Sequence, residues 1–315
     1  MTERLPAILR TNLRLPVIAA PLFIVSGPDL VVAQAKSGII GSFPALNART
    51  PGRLREWLTR ITAELGAAPE AAPYAVNLIA HKTNERLGED LAILEEFGVP
   101  IVITSLGARP EINDRIHAYG GVVLHDVINN VHARKAIDKG ADGLIAVAAG
   151  AGGHAGVVSP FALIQEIRDW FDGPLALSGS IAHGDSVLAA LAAGADFAYA
   201  GSLFIATDEA NAEPEYKKMI VTGTAGDIVY TDYFTGVKGN YLRPSITAAG
   251  LDPDALGAGS GSLEFLSSDG PKAWRDIWGA GHGIGAVDEV RPTAAVVDRL
   301  AEEYRLARAR VAALA

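Results

Sequence analysis

The sequence predicts a (β/α)8 barrel, an α/β TIM-barrel architecture, with a smaller, mainly helical cap inserted late in the chain. Three observations lead there. Eight short β-type runs alternate with helical segments between residues 17 and 200. Those runs are continuously apolar, as parallel strands covered on both faces are. Small and polar residues gather where the runs end, and barrels of this kind build their sites at the C-terminal ends of their strands. An open doubly wound sheet is the alternative topology, and the count of eight favours the barrel.

The strands are expected at 17–20, 39–43, 74–78, 101–104, 122–126, 143–147, 175–178 and 197–200. The helices between them are expected at 28–37, 51–65, 84–97, 110–119, 130–139, 160–171 and 185–193. Several begin at a proline or a capping Asn, Asp or Ser, residues that suit a first turn with orphan N–H groups. Gly38, Gly66, Gly98, Gly120, Gly140 and Gly194 stand at their ends, where a left-handed residue can close a helix. After Ile205 the rhythm breaks. Residues 208–285 hold a helical piece at 213–222 and a Gly-rich stretch at 256–270, and read as a cap over the barrel mouth. A terminal helix follows at 288–314, with Val290, Val297, Leu300, Tyr304 and Val311 on its apolar side. Arg299, Arg305, Arg308 and Arg310 are expected to be largely solvated. The plan is a barrel at 1–207, a cap at 208–285 and, at 286–315, a C-terminal helix packed on the barrel.

With 315 residues, 49% of them hydrophobic, the chain can bury one large core. It has no cysteine, which excludes disulfides, thiolate metal sites and a cysteine nucleophile. A formal charge of −9 argues against general binding to nucleic acid or anionic membranes. The N-terminus lacks the apolar core of a secretory signal, and the apolar run at 15–25 is too short to span a bilayer. A soluble cytoplasmic protein is expected, a monomer or a homodimer.

The strongest local signal is AAGAGGHAG at 148–156, a Gly/Ala loop directly after the sixth strand. Its His154 is a candidate acid or base, because imidazole titrates near neutrality. Of the other histidines, His117 and His132 fall on outer helices, His183 at a helix start and His81 in a loop. His125 ends a strand, and His282 could reach the mouth from the cap. GSIAHG at 179–184 and GSLFIAT at 201–207 follow the seventh and eighth strands, the usual phosphate cradle of this fold. Asn77 ends the third strand with an amide suited to the polar edge of a heterocycle. No metal-ligand spacing, HExxH or GxSxG is present.

IAAPL at the first strand, VNL ending at Leu78, AGAGGHAG, LSGSIAHG, AGSLFIAT, FTGVKGNYLRPSI and WGAGHGIGAV stand in one order along most of the chain. In these segments the chain resembles the nitronate monooxygenase family, FMN-binding (β/α)8 barrels formerly called 2-nitropropane dioxygenases. The resemblance implies an FMN-dependent oxidoreductase that oxidises nitronates or nitroalkanes with oxygen to a carbonyl compound and nitrite. His154 falls on the family's catalytic histidine. Ala20, Asn77, Gly179, Gly201 and Ser202 fall on FMN-contacting positions, and the expected cofactor set extends to Pro21, Leu22, His125, Gly153, Ser178 and Ser180. The chain departs from common family residues at three places: Ser202 for a threonine, His282 for a glutamine, and Asp126 where some relatives carry a lysine. Similar barrels are NAD(P)H-using enoyl-thioester or quinone reductases, and Lys238, Tyr241 and Arg243 of the cap suit an anionic nucleotide or CoA. A flavin-free lyase or isomerase of a phosphorylated substrate is a reading from another class. A small-molecule substrate is common to all of them.

Overall fold

A computed structural model describes residues 5–258 and 275–314. The Gly-rich stretch at 256–270 therefore lies, from 259 onward, outside the described residues. Nine strands run from the N-terminus to residue 200: β1 Val17–Ala19, β2 Gly41–Pro44, β3 Tyr74–Ile79, β4 Ile101–Ser105, β5 Val122–Val127, β6 Gly143–Val147, β7 Gly153–His154, β8 Leu175–Ser178 and β9 Phe197–Ala200. All but β7 form one parallel sheet, ordered β1-β9-β8-β6-β5-β4-β3-β2. Its two ends meet at a parallel bridge between Ile18 and Ile40. There the Ala19 N–H donates to Ile40 O at 2.8 Å, and the Ile40 N–H to Val17 O at 3.1 Å. The barrel is closed by backbone, as the sequence predicts.

Strand alternation explains the continuous apolar runs. Ile18, Ile40, Ala75, Ile103, Leu124, Ile145, Ala176 and Phe197 fill the barrel interior. Their neighbours Val17, Val76, Val102, Val123, Leu144, Leu177 and Ala198 pack outward under the helices. Each fully buried aliphatic side chain contributes roughly 1.5–3 kcal/mol relative to exposure.

The outer layer is α1 Pro28–Lys36, α2 Pro51–Gly66, α3 Leu87–Glu96, α4 Pro110–Ala118, α5 Asn130–Asp138, α6 Pro160–Arg168 and α7 Gly184–Ala192. Proline opens α1, α2, α4 and α6, and the Asn129 side chain caps α5 by accepting the His132 N–H at 2.9 Å. Gly38 leaves α1 at φ +86°, the expected left-handed stop. Gly66 is instead the last residue of α2, which closes on Ala67 in the right-handed region. Two helices are shorter than expected. Asn84 sits in a turn, its amide donating to Ile79 O at 2.9 Å, so α3 starts later. The Arg168 guanidinium takes the carbonyls of Phe171, Gly173 and Gly194 and the carboxylate of Asp196, which ends α6 early.

The inserted segment holds α8 Pro214–Thr222 and α9 Arg243–Ala248, and also a hairpin that the sequence pattern did not announce. Its strands are β10 Ile228–Thr231 and β11 Gly239–Leu242, and β11 pairs antiparallel with β7. The terminal helix is α10 Thr293–Ala312, packed against α1 and α7. It buries Val296, Val297, Leu300 and Ala307. The expected stripe is corrected at both ends: Val290 precedes the helix, Val311 lies on its last turn, and both are exposed. Arg299 is half-buried rather than solvated, donating to Ala286 O at 2.7 Å. No helix among the described residues is long and apolar enough to cross a membrane.

Candidate active site

A cavity of about 1380 Å³ opens at the C-terminal ends of the strands. Ligand pockets commonly measure about 300–1,000 Å³, so this one has room for a cofactor and a second molecule. Every residue expected to bind cofactor lines it: Ala20, Pro21, Leu22, Asn77, His125, Gly153, Ser178, Gly179, Ser180, Gly201 and Ser202. His154 and Asp126 line it as well.

One end is a nest of interlocked loops. The Gly150 carbonyl accepts N–H bonds from Ser180 at 3.2 Å and His282 at 3.0 Å, tying the histidine loop to the β8 loop and the late glycine motif. The Ser202 hydroxyl accepts the Gly281 N–H at 2.8 Å. The packing leaves no room for side chains: a Cβ on Gly152 would fall 2.8 Å from Gly281 N, and one on Gly179 2.6 Å from Ala149 O. Gly179 also has φ +134°, closed to most other residues. Residues Ser202–Phe204 form a 3-10 turn, whose first N–H groups have no acceptor within it. Such groups suit a phosphate.

The floor is polar. Asn77 Nδ2 donates to Ile103 O at 3.1 Å and to Ser105 Oγ at 2.7 Å, and Ser105 Oγ donates to Asp126 Oδ2 at 2.5 Å. Burial pushes the Asp126 carboxyl up to about 6. Burial, then the Asp126 charge, pushes the Tyr199 phenol well up. His125 bonds Thr104 Oγ1 through Nδ1 at 2.6 Å. Its imidazole is pushed down to about 4, by burial first and by His132 second. The sequence reading noted Asp126 only as a departure from the family and gave Ser105 and Tyr199 no site role, because each becomes part of the floor only through the strand register.

His154 lies on β7, opposite Gly239 of β11. Its Nε2 is 3.0 Å from Thr235 Oγ1. That hydroxyl donates to Val237 O at 3.0 Å, so it accepts from the ring and sets the Nε2–H tautomer, leaving Nδ1 the basic nitrogen. Burial pushes the imidazole down to about 4, so the ring is neutral at pH 7. Asn240 secures the same loop, its amide donating to Ala151 O at 2.6 Å. Thr235 and Asn240 lie in the late motif FTGVKGNYLRPSI, where the sequence reading singled out Lys238, Tyr241 and Arg243 instead.

The remaining histidines separate cleanly. His183 caps α7, its Nδ1 accepting the Asp185 N–H at 3.1 Å. His117 pairs with Asp142, and His81 bonds Thr83. His282 is exposed and does not line the cavity, although its Nδ1 stands 3.3 Å from where a Gly150 Cβ would be. Of the cap residues expected to meet an anion, Lys238 lines the cavity. Tyr241 is fully buried beside Phe234, and Arg243 is paired with Asp254. No group of three or more metal-ligating side chains occurs among the described residues.

A closed (β/α)8 barrel with a large cavity at the C-terminal ends of its strands is the architecture of many enzymes. The nitronate monooxygenase family model matches residues 5–249, and the chain belongs to that family. A Mycobacterium tuberculosis protein, named provisionally as a monooxygenase, is 30% identical over 223 residues, covering 65% of this chain and 59% of that one. The (3aS,4S,5R,7aS)-5-hydroxy-7a-methyl-1-oxo-octahydro-1H-indene-4-carboxyl-CoA dehydrogenase of Rhodococcus jostii is 29% identical over 202 residues, covering 64% and 55%. The chain thus spans little more than half the length of these curated relatives. The nitroalkane oxidase of Streptomyces ansochromogenes shares the fold, with TM-score 0.83 and 24% identity over 97% of this chain and 100% of that one.

Proposed function

We propose that the chain is an FMN-dependent oxidoreductase that oxidises alkyl nitronates or nitroalkanes with oxygen, and that His154 takes the proton of a neutral nitroalkane or orients a nitronate. The observation that carries this reading is the placement of a half-buried histidine, its imidazole held down by desolvation, on the wall of the cavity that the glycine nest closes. The residues fit FMN. The loops at Gly179, Gly201 and Gly281 suit the phosphate, since they present backbone and exclude side chains. Asn77 spends both amide protons on Ile103 O and Ser105, which leaves its carbonyl oxygen to accept from a heterocycle N–H. The flavin, when bound, supplies the electron-accepting chemistry.

The protein's part is proton transfer and orientation. His154 Nδ1 accepts a proton only when the product anion stabilises the imidazolium beside it. A preformed nitronate needs only orientation by His154, whereas a neutral nitroalkane must first give up its proton to the ring. Lys238 at the cavity wall suits the substrate's negative charge.

A second reading, an NAD(P)H-dependent reductase of thioesters or quinones, draws support from the cavity's size and from Arg49, Lys135 and Lys238 along it. Anaerobic mixing of the purified yellow protein with a nitronate, NADH and NADPH separates the two. Flavin bleaching by the nitronate alone supports the first reading. Bleaching by a nicotinamide alone replaces it with the second.

A further inference from the structure

Asp126 has no role in the reading above, and its surroundings are unusual. It stands on the inward face of β5, level with Asn77 of β3 and Ser105 of β4, and it lines the cavity. The hydrogen bonds there run one way. Ile103 O can only accept, so Asn77 must turn its Nδ2 toward it, and the same NH2 then donates to Ser105. Ser105 is left to donate its proton to Asp126 Oδ2. Asp126 Oδ1 is shut off from solvent and has no hydrogen-bond partner among the described residues. A buried carboxyl oxygen in that condition is destabilising unless a ligand meets it.

We propose that Asp126 is a positioning residue for the flavin ring, presenting a protonated Oδ1 as a hydrogen-bond donor from the floor of the barrel. This rests on the flavin reading and assigns a residue to the ring that the phosphate cradle does not reach. The donor role follows from the surroundings. Asn77 and Ser105 are neutral, and the titratable group facing Asp126 from β9 is the Tyr199 phenol, itself held neutral by burial. His125, the next residue on β5, turns to Thr104 and is held neutral. No cation contributes to the carboxyl's shift, and burial alone holds its proton up to about 6. Toward an acceptor atom of a bound ring the neutral acid would donate its proton, where an ionised carboxylate would repel it.

The test is the affinity of the apoprotein for FMN, read by fluorescence quenching between about pH 5.5 and 8.5. The wild type is compared with Asp126→Asn, which keeps a donor, and Asp126→Leu, which does not. The FMN phosphate titrates near pH 6 in all three, so the ratios to Asp126→Asn carry the result. Below about pH 6 the wild type and Asp126→Asn bind within about threefold of each other. Above pH 7 the wild type weakens about tenfold relative to Asp126→Asn, the size of one hydrogen bond of about 1.4 kcal/mol. Asp126→Leu is about tenfold weaker than Asp126→Asn throughout. A wild-type ratio that does not change with pH, or Asp126→Asn binding as weakly as Asp126→Leu, overturns the proposal while the flavin reading stands. A folded chain that takes up no flavin at any pH overturns both.

Discussion

Thr235→Val separates the tautomer of His154 from its presence. The substitution keeps the shape of a side chain that is 1% exposed and removes only the hydroxyl. That hydroxyl receives the His154 Nε2–H at 3.0 Å and passes its own proton to Val237 O at 3.0 Å. Without it a buried ring N–H loses its acceptor, at a cost of about 1–3 kcal/mol, and moving the proton to Nδ1 relieves part of that cost. The nitrogen that should accept the substrate proton then carries one already. A net preference of about 0.5–1.5 kcal/mol for one tautomer corresponds to roughly 2- to 13-fold in population. The expected loss in kcat/KM is therefore about tenfold. Thr235 does not line the cavity, so the flavin-to-protein ratio should stay at its wild-type value. Thr235→Ser restores the hydroxyl and should recover activity to within about threefold. The assay is steady-state oxygen consumption with a neutral nitroalkane, whose proton must be removed, paired with flavin absorbance and nitrogen NMR of the imidazole. Wild-type kcat/KM in Thr235→Val, or equal losses in the valine and serine variants, would refute the argument.

The remaining predictions concern the same site. His154→Ala should keep fold and flavin and lose about a hundredfold or more on neutral nitroalkanes, with a much smaller loss on preformed nitronates; equal losses on both would leave His154 an orienting group. Gly201→Asp places a Cβ 3.3 Å from Ala20 and Leu22 and a charge at the cradle, so a folded variant should elute without flavin. In the apoprotein His125 and His154 are both held near 4 against 6.5 when unfolded. The unfolded chain therefore binds more protons between those values, and stability falls as pH drops from about 6.5 to 4. Asp126, raised to about 6, acts in the opposite sense between about 6 and 3.8. Urea midpoints that stay flat across this window for the wild type, and no steeper for Asp126→Asn, would contradict the assignment. The segment 208–285 expressed alone should show no cooperative melting transition, because its hairpin pairs with β7 of the barrel loop.

The barrel was legible because its signals are local. A parallel strand buried on both faces writes itself as an apolar run, and Pro28, Asn129 and Gly38 mark helix ends by their own backbone chemistry. The close-packed glycines after the barrel strands were legible for the same reason. What escaped depends on register between distant segments. The bonds joining Asn77, Ser105 and Asp126 exist only because β3, β4 and β5 align as they do. The hairpin has no apolar alternation on β10, and its partner β7 is two residues long, so neither strand carries a periodic signature. Val290 and Val311 extend an apolar stripe in sequence past the point where α10 still touches α1 and α7.

The order in which α10 joins the barrel has a consequence for synthesis. The sheet is complete in sequence once Ala200 has emerged, yet the groove between α1 and α7 stays open until residues 293–312 arrive. A ribosome-bound chain thus holds a finished set of strands with an apolar gap in its outer wall for the time taken to make roughly a third of the protein. Val296, Val297 and Leu300 then close the gap. Nascent chains at this stage are the species most exposed to chaperones and to misassembly. A premature stop before Thr293 should consequently yield a product that is degraded or aggregated, even though every strand of the barrel is present.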